Sequence, residues 1–203
     1  GLLEAIEEAD ILTNTAVTAD GISGRANRVY NVSTGNTALG RFGWKANEPT
    51  VRQQTAAAFN GDIGITSSLF PLDHCTPAQP ACSDAINGND PGDTYELRDA
   101  TLDFVAFYTA ALGVPARRQA RDPRVLQGKN VFNAIGCGHC HRASYVTGTS
   151  TISPAFSGMT IYPYTDLLLH DMGPELADGR PDHLADGQEW RTPPLWGIGL
   201  FQT

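Results

Sequence analysis

One pentapeptide, CGHCH, holds the most reactive side chains of this 203-residue sequence. Cys137 and Cys140 lie three positions apart and His141 follows directly, which is the C-x-x-C-H pattern of c-type haem attachment. Two thiols at this spacing share one helical turn and can reach both vinyl groups of a porphyrin, while the adjacent imidazole is delivered to the iron. The motif therefore predicts one covalently bound haem c, with His141 as an iron ligand.

Two other chemistries use the same residue types. A structural zinc site needs four ligands, usually with a second paired cluster, but Cys75 and Cys82 have six residues between them in a proline-rich stretch. A thioredoxin-like dithiol follows a strand in a βαβ unit, and no parallel-sheet pattern occurs here. Both are less favoured than haem, and His139, inside the motif, is expected at the surface.

A disulfide is predicted between Cys75 and Cys82, with two free thiols as the alternative. Covalent haem c is made on the oxidising side of a membrane, where disulfides persist. An exposed proline-rich loop is also a poor place to bury a free thiol. The same reasoning predicts a periplasmic location, or another one outside the cytoplasmic membrane.

The second axial ligand of the iron is expected to be Met or His. Met172 is favoured because, between Asp171 and Gly173, it has little helical face to fill. His170, or an open position as in a peroxidase, is the alternative. The full set of candidates is Met159, Met172, His74, His170 and His183.

Other residues are predicted to support the haem. Pro154, 13 residues after His141, could offer its carbonyl to the imidazole Nδ1–H, and Arg191 could pair with a propionate. A turn proline and ordinary core residues are the alternatives. The predicted aromatic walls are Tyr162, Tyr164, Trp190 and Trp196. Near the N-terminus, TADGISGRANR resembles a calcium loop through Asn14, Asp20 and Asn27, although the usual Asp spacing is missing and a Gly-rich turn is the default.

Charge and hydropathy narrow the range of partners. The net charge of −8 argues against nucleic acid, which needs a basic footprint, and favours small molecules or a basic protein. The longest nearly apolar run, residues 104–114, is far shorter than the ~20 residues of a membrane span. No span and no nucleic-acid partner are predicted.

Apolar periodicity and turn residues predict five helices, at residues 1–12, 51–59, 93–113, 122–136 and 164–170, with irregular chain over 13–50 and 60–93. The third helix should start with a capping box of Asp93 and Glu96 and bury Leu97, Phe104, Val105, Tyr108 and Leu112 on one face. The fourth should be capped by Asp122, begin at Pro123 and end at Gly136. The predicted fold is thus mainly α and loop-rich.

Several blocks of the sequence resemble the bacterial di-haem oxidoreductase family, whose members are described as thiol oxidoreductases or peroxidases and are distantly related to di-haem cytochrome c peroxidases. The resemblance covers nearly the whole chain, and the blocks that carry it are GLLEAI, DGISGRANRV, GRFGWKANEPTVRQQTAAAFNGDIGITSSLFP, CGHCH, LLLHDMGPELADG and EWRTPPLWGIGLF. Members carry two haems on two cytochrome c-like domains, whereas this chain has one haem motif. The resemblance implies an internal piece of a longer protein, with a single-haem relative as the alternative.

With this resemblance, residues 93–203 are expected to form a cytochrome c-like haem domain, and residues 1–92 a helical and irregular segment that packs on it. The expected function is electron transfer through one haem, with a catalytic peroxidase domain as the alternative. The expected partners are a redox protein and the second haem domain of the parent protein.

Overall fold

A computed structural model describes residues 1–18 and 20–200, with the side chain of Leu200 excluded. The helices are α1 (Glu8–Leu12), α2 (Val51–Ile63), α3 (Pro80–Ser83), α4 (Asp99–Ala111) and α5 (Pro123–Ala134). The strands are β1 (Arg28–Asn31), β2 (Asn36–Leu39), β3 (Tyr145–Val146), β4 (Thr160–Ile161), β5 (Leu169–Asp171) and β6 (Glu189–Arg191). Single 3₁₀ turns occur at Thr13–Thr15, Cys137–His139, Pro154–Phe156 and Ile198–Leu200.

The prediction of a mainly α, cytochrome c-like fold is wrong. Helix accounts for 29% of the chain and strand for 14%, so the structure is mixed and loop-rich. The strands form three antiparallel pairs, β1–β2, β3–β4 and β5–β6. The predicted helix over 164–170 is absent, because Leu169 and His170 lie in β5 and pair with Arg191 and Trp190 of β6.

The two largest of three clusters of buried apolar side chains join these elements. The larger one joins Ile6, Ile11 and Leu39 to residues that follow the CGHCH motif, namely Tyr145, Ile161, Leu167 and Leu168. The smaller one joins Ala56 of α2 to Leu102 of α4, with Leu69 and Leu97. Each cluster contains residues from both sides of position 93, and the division of the chain there stays a prediction.

Helix α4 buries a different face from the one that its apolar residues predict. The buried residues are Leu102, Ala106 and Ala110, whereas Phe104 is 75% exposed and Tyr108 67% exposed. The buried face of α4 thus consists of Leu102 and two small alanines, and Leu102 packs in one apolar cluster with Ala56 of α2. The predicted capping box is also wrong, because helix α4 begins only at Asp99 and Arg98 is its N-cap.

Helix α5 starts and stops as its sequence predicts. The Asp122 carboxylate accepts a hydrogen bond from the backbone N–H of Arg124 at 2.8 Å, and Pro123 occupies the first helical position. Gly136 follows the helix with φ of 88°, a left-handed conformation that costs little only for glycine. The chain then turns directly into CGHCH, and α5 itself contains no buried residue.

Candidate haem site

The CGHCH segment is a compact turn at the end of α5. The Cys137 carbonyl accepts the hydrogen bond of the Cys140 N–H that closes the 3₁₀ turn Cys137–His139, and it also accepts one from the His141 N–H at 3.0 Å. Cys137 and Cys140 are both free thiols and half-buried, and burial raises the pKa of the Cys140 thiol. The two sulfurs are therefore available for bonds to a ligand.

The imidazole of His141 is oriented by a backbone carbonyl. Its Nδ1 lies 2.8 Å from the Tyr164 carbonyl oxygen, and because a carbonyl only accepts, Nδ1 carries the hydrogen. The opposite nitrogen, Nε2, then keeps its lone pair and can bind a metal. Tyr164 itself adopts a left-handed φ of 53°, an unusual conformation for a side chain of this size.

In this structure the Nδ1 partner is the carbonyl of Tyr164 rather than that of Pro154, and a role of Pro154 at a haem stays a prediction. Pro154 is exposed and starts the 3₁₀ turn Pro154–Phe156, and the Nδ1 partner is ten positions later, at Tyr164. Every residue has a backbone carbonyl, so the residue types in a sequence do not indicate which carbonyl will accept the hydrogen bond of the His141 imidazole.

A large apolar cavity adjoins this histidine. Its volume is about 940 Å³, within the range of roughly 300–1,000 Å³ that is usual for ligand sites. Phe132 connects the cavity to the motif, because its ring centroid lies 6.1 Å from that of His141 and 5.9 Å from that of Tyr164. The apolar and aromatic part of the lining includes Leu2, Val125, Phe132, Ile161, Tyr162, Tyr164, Leu195 and Trp196.

The lining of the cavity also includes three basic residues. They are Arg117 and Arg118, from the segment before α5, and Lys129, from α5 itself. Arg118 also donates a hydrogen bond to the Gly199 carbonyl. An apolar volume with cations at its margin suits a flat hydrophobic ligand that carries carboxylates, so the residues present fit a haem.

A buried relay lies on the other side of Cys140. His170 Nδ1 is 3.7 Å from Cys140 Sγ, and His170 Nε2 is 2.7 Å from Asp166 Oδ2. Asp166 is 1% exposed and also accepts a hydrogen bond from the Leu168 N–H at 3.0 Å. Because a carboxylate accepts, His170 carries its hydrogen on Nε2 and turns Nδ1 toward the sulfur.

Of the residues predicted to surround the haem, Tyr162, Tyr164 and Trp196 line the cavity. The lining that the structure describes does not include Met172, Pro154, Trp190 or Arg191, nor the motif residues Cys137, Cys140 and His141, of which His141 packs beside the lining residue Phe132. Met172 follows β5, is 48% exposed and donates its N–H to the Gln188 carbonyl. Trp190 donates from Nε1 to the Leu176 carbonyl at 2.9 Å, and its ring lies under the ammonium group of Lys45. Their roles at a haem stay predictions.

Arg191 is engaged by backbone carbonyls. Its Nε donates to the Gly43 carbonyl at 2.8 Å and its NH1 group to the Thr192 carbonyl at 3.2 Å. Burial lowers the pKa of its guanidinium to about 10. The cations that line the cavity are instead Arg117, Arg118 and Lys129, which the residue pattern had not singled out although the run of basic residues is visible in the sequence.

The predicted calcium ligands have separate partners. Asn27 is fully buried and donates to the Lys45 and Ala46 carbonyls. Asn14 donates to the Tyr145 hydroxyl, and Asp20 lies 2.7 Å from Nδ1 of the surface residue His139. The structure thus does not bring the three side chains together as a ligand set.

The predicted disulfide is confirmed, because Cys75 and Cys82 are bonded with their Cα atoms 5.8 Å apart. The disulfide links the exposed loop after α2 to Cys82 in α3. Over residues 1–18 and 20–200, no helix combines the length and the apolar character needed to cross a membrane.

One comparison with known proteins supports a haem site, and two found no match. No curated protein and no solved structure matches the chain. The family model described as "Di-haem oxidoreductase, putative peroxidase" matches residues 1–203. A family that binds haem accounts for the free cysteine pair, the oriented imidazole and the apolar cavity beside them. This chain therefore belongs to the di-haem oxidoreductase family.

Proposed function

We propose that this chain binds one haem c through Cys137 and Cys140, with His141 as an iron ligand, and that it transfers single electrons. One observation carries the proposal: the hydrogen bond between His141 Nδ1 and the Tyr164 carbonyl, made beside a large apolar cavity. This bond leaves Nε2 as the metal-binding atom and fixes the direction in which it points.

When bound, the haem supplies the one-electron couple of its iron. The chain positions it and controls its surroundings. Tyr164 holds the imidazole ring, and Phe132 packs against both rings. With a haem bound, the apolar lining would exclude water from it, and Arg117, Arg118 and Lys129 would neutralise its propionates.

Met172 remains our proposed second ligand. The three leucines before it are almost fully buried, with Leu167 and Leu168 at 0% and Leu169 at 1% exposure, and Gly173 turns the chain with φ of 76°. Met172 is thus fixed at the exposed end of a rigid segment. A thioether ligand favours ferrous iron and raises the reduction potential, which suits electron transfer.

A peroxidase with an open or displaceable ligand position is the second candidate. It is favoured by the cavity lining, which contains neither Met nor His among the residues that the structure describes, and by the description of the family. Absorption spectroscopy separates the two. A low-spin oxidised haem with a weak far-red sulfur-to-iron band that is lost in Met172→His supports methionine ligation, whereas a high-spin haem that binds cyanide rapidly supports the peroxidase.

The proposed location is outside the cytoplasmic membrane, because haem c attachment and the Cys75–Cys82 disulfide both suit an oxidising compartment. The proposed partners are a redox protein and a second haem domain, since the family is di-haem and this sequence contains one C-x-x-C-H motif.

Haem staining after denaturing electrophoresis tests the covalent bond. The wild type should keep its stain, because thioether bonds survive detergent, and Cys137→Ser/Cys140→Ser should lose it. The matched control Cys75→Ser/Cys82→Ser removes the other two cysteines and should keep the stain. A colourless wild-type band with stoichiometric zinc would refute the proposal.

A further inference from the structure

The charge of this protein is distributed unevenly along the chain. The whole sequence has 22 acidic and 14 basic residues. Between positions 104 and 165, however, there are six basic residues and one acidic residue, Asp122. This stretch contains α5, the CGHCH motif and much of the cavity lining. The part of the chain proposed to hold the haem is therefore basic within an acidic protein.

Five of the six basic residues are exposed, and three of them line the cavity while the other two are close to lining residues in sequence. Arg117, Arg118 and Lys129 line the cavity, Arg121 lies two positions from the lining residue Gln119, and Arg124 lies one position from Val125. All five residues are exposed, and the Arg124 side chain reaches 88%. We call these five residues the basic face.

The sixth cation and the single anion do not change this picture. Arg142 points inward and donates to the Asp10 carbonyl, the Thr13 hydroxyl and Asn14. Asp122 caps α5 through the Arg124 N–H, its side chain is 25% exposed, and it lies 3.5 Å from the Arg124 guanidinium. Of the acidic groups beside the motif, Asp20 pairs with His139, and Asp166 is buried against His170. With Asp122 and the two propionates of a bound haem counted, the five cations of the basic face meet three anions, so an excess of about two positive charges is left.

Local charge outweighs net charge in a close encounter. The Debye length is about 8 Å at physiological ionic strength, so distant acidic residues are screened from a partner that docks at the cavity. Exposed charges near the contact steer association and set its dependence on salt. A partner that docks at the haem edge would therefore interact mainly with the basic face, and only weakly with the acidic residues in the rest of the chain.

We propose that the basic face is the docking surface for an acidic one-electron redox protein. One electron passes between the haem of this chain and the oxidised or reduced centre of that partner, with no other bond made or broken. This inference rests on the proposed function, because it needs the haem at the cavity. It reverses the partner charge that the net charge of −8 predicts.

Stopped-flow oxidation of the dithionite-reduced protein by two inorganic probes tests the local charge. Each probe takes one electron from the ferrous haem: hexacyanoferrate(III) is an anion and tris(phenanthroline)cobalt(III) is a cation. We expect the rate with hexacyanoferrate to fall as ionic strength rises, and the rate with the cobalt complex to rise. The opposite pair of trends would show that net charge governs the haem edge and would overturn the proposal.

Charge-reversal variants test whether the basic face causes the salt dependence of the oxidation rate. Arg121→Glu/Arg124→Glu changes the basic face without touching a residue of the cavity lining, and Arg98→Glu/Arg180→Glu makes the same change of net charge on exposed residues elsewhere. We expect the first variant to slow hexacyanoferrate about tenfold at low salt and the control to slow it less than twofold. Equal slowing in both variants would overturn the proposal.

An acidic blue copper protein is the protein probe. Its reduction by the wild type should be fast and salt-sensitive, and Arg121→Glu/Arg124→Glu should slow it about tenfold or more, while the control variant does not. A rate independent of salt and of both variants would overturn the docking surface. Loss of covalent haem from the wild-type protein would instead refute the proposed function itself, so the two failures are distinguishable.

Discussion

The helix before the motif and the segment that orients its histidine differ in burial. Helix α5 is regular over twelve residues, yet none of them is buried. Residues 163–170 are irregular apart from the start of β5, and all of them except Tyr164 are buried. The buried loop is thus the scaffold of the site. The regular helix is the part that a porphyrin would cover.

Truncating one leucine in each region should give the largest contrast. Leu168 is 0% exposed within the main apolar cluster, whereas Leu126 of α5 is 47% exposed. We expect Leu168→Ala to lower the free energy of unfolding by about 3 kcal/mol and Leu126→Ala by less than about 0.5 kcal/mol. Denaturant unfolding of the haem-bearing protein measures both, and equal losses would mean that α5 is part of the core.

A buried position outside the buried loop carries an unfavourable charge, that of Glu48. Glu48 is 7% exposed, its Oε2 has no hydrogen-bond partner among the described residues, and burial raises its pKa from 4.5 to about 7. Between these two values the folded state binds more protons than the unfolded state, so stability falls as pH rises. The loss should reach about 3 kcal/mol above pH 7.

Thermal unfolding from pH 4 to pH 8 measures this loss. Glu48→Gln should flatten the profile over that range and stabilise the protein at pH 8. Glu175→Gln, a change at an exposed carboxylate, should leave the profile as it is. A wild-type stability that rises between pH 5 and pH 7 would contradict the raised pKa.

Two features of the site could be predicted from sequence because short-range rules govern them. The haem motif is a fixed spacing, and the bounds of α5 follow from Asp122, Pro123 and Gly136, each of which acts on its own turn of backbone. The disulfide was also predictable, because Cys75 and Cys82 are close in sequence.

Other features depend on contacts that residue types do not encode. Helix α4 has apolar residues around most of its surface, but the side that packs against Ala56 of α2 is that of Leu102, whereas Phe104 and Tyr108 are exposed. Residues 164–170 have a helix-like composition, but Leu169 exchanges backbone hydrogen bonds with Arg25 as well as pairing with β6. The Tyr164 carbonyl reaches His141 only because these pairings fix the buried loop.

The hydrogen-bonded pair of Asp166 and His170, within the buried loop, should contribute less to the free energy of unfolding than the leucines of that loop. In Asp166→Asn the new amide can still accept from the Leu168 N–H, but its N–H₂ group would face His170 Nε2. The imidazole then has to move its hydrogen to Nδ1. We expect a loss of about 1–2 kcal/mol and a shift of the His170 tautomer visible by ¹⁵N NMR. Asp171→Asn, next to the pair but exposed, should change stability by less than about 0.5 kcal/mol and leave the tautomer unchanged. An unaltered tautomer in Asp166→Asn would show that Asp166 does not orient the ring.

The smallest effect is expected on the exposed side of α4. Phe104 is 75% exposed, so its removal takes little apolar surface out of the folded core, whereas Leu102 on the opposite side is 0% exposed and contacts the α2 cluster. We expect Phe104→Ala to change the free energy of unfolding by less than about 0.5 kcal/mol and the control Leu102→Ala to cost about 3 kcal/mol. Denaturant midpoints with unchanged slopes measure both values. A cost above about 1.5 kcal/mol for Phe104→Ala, half that expected of the buried leucine, would mean that this face is covered in solution. The contrast between a buried irregular loop and exposed helix surfaces would then not extend to this face of α4.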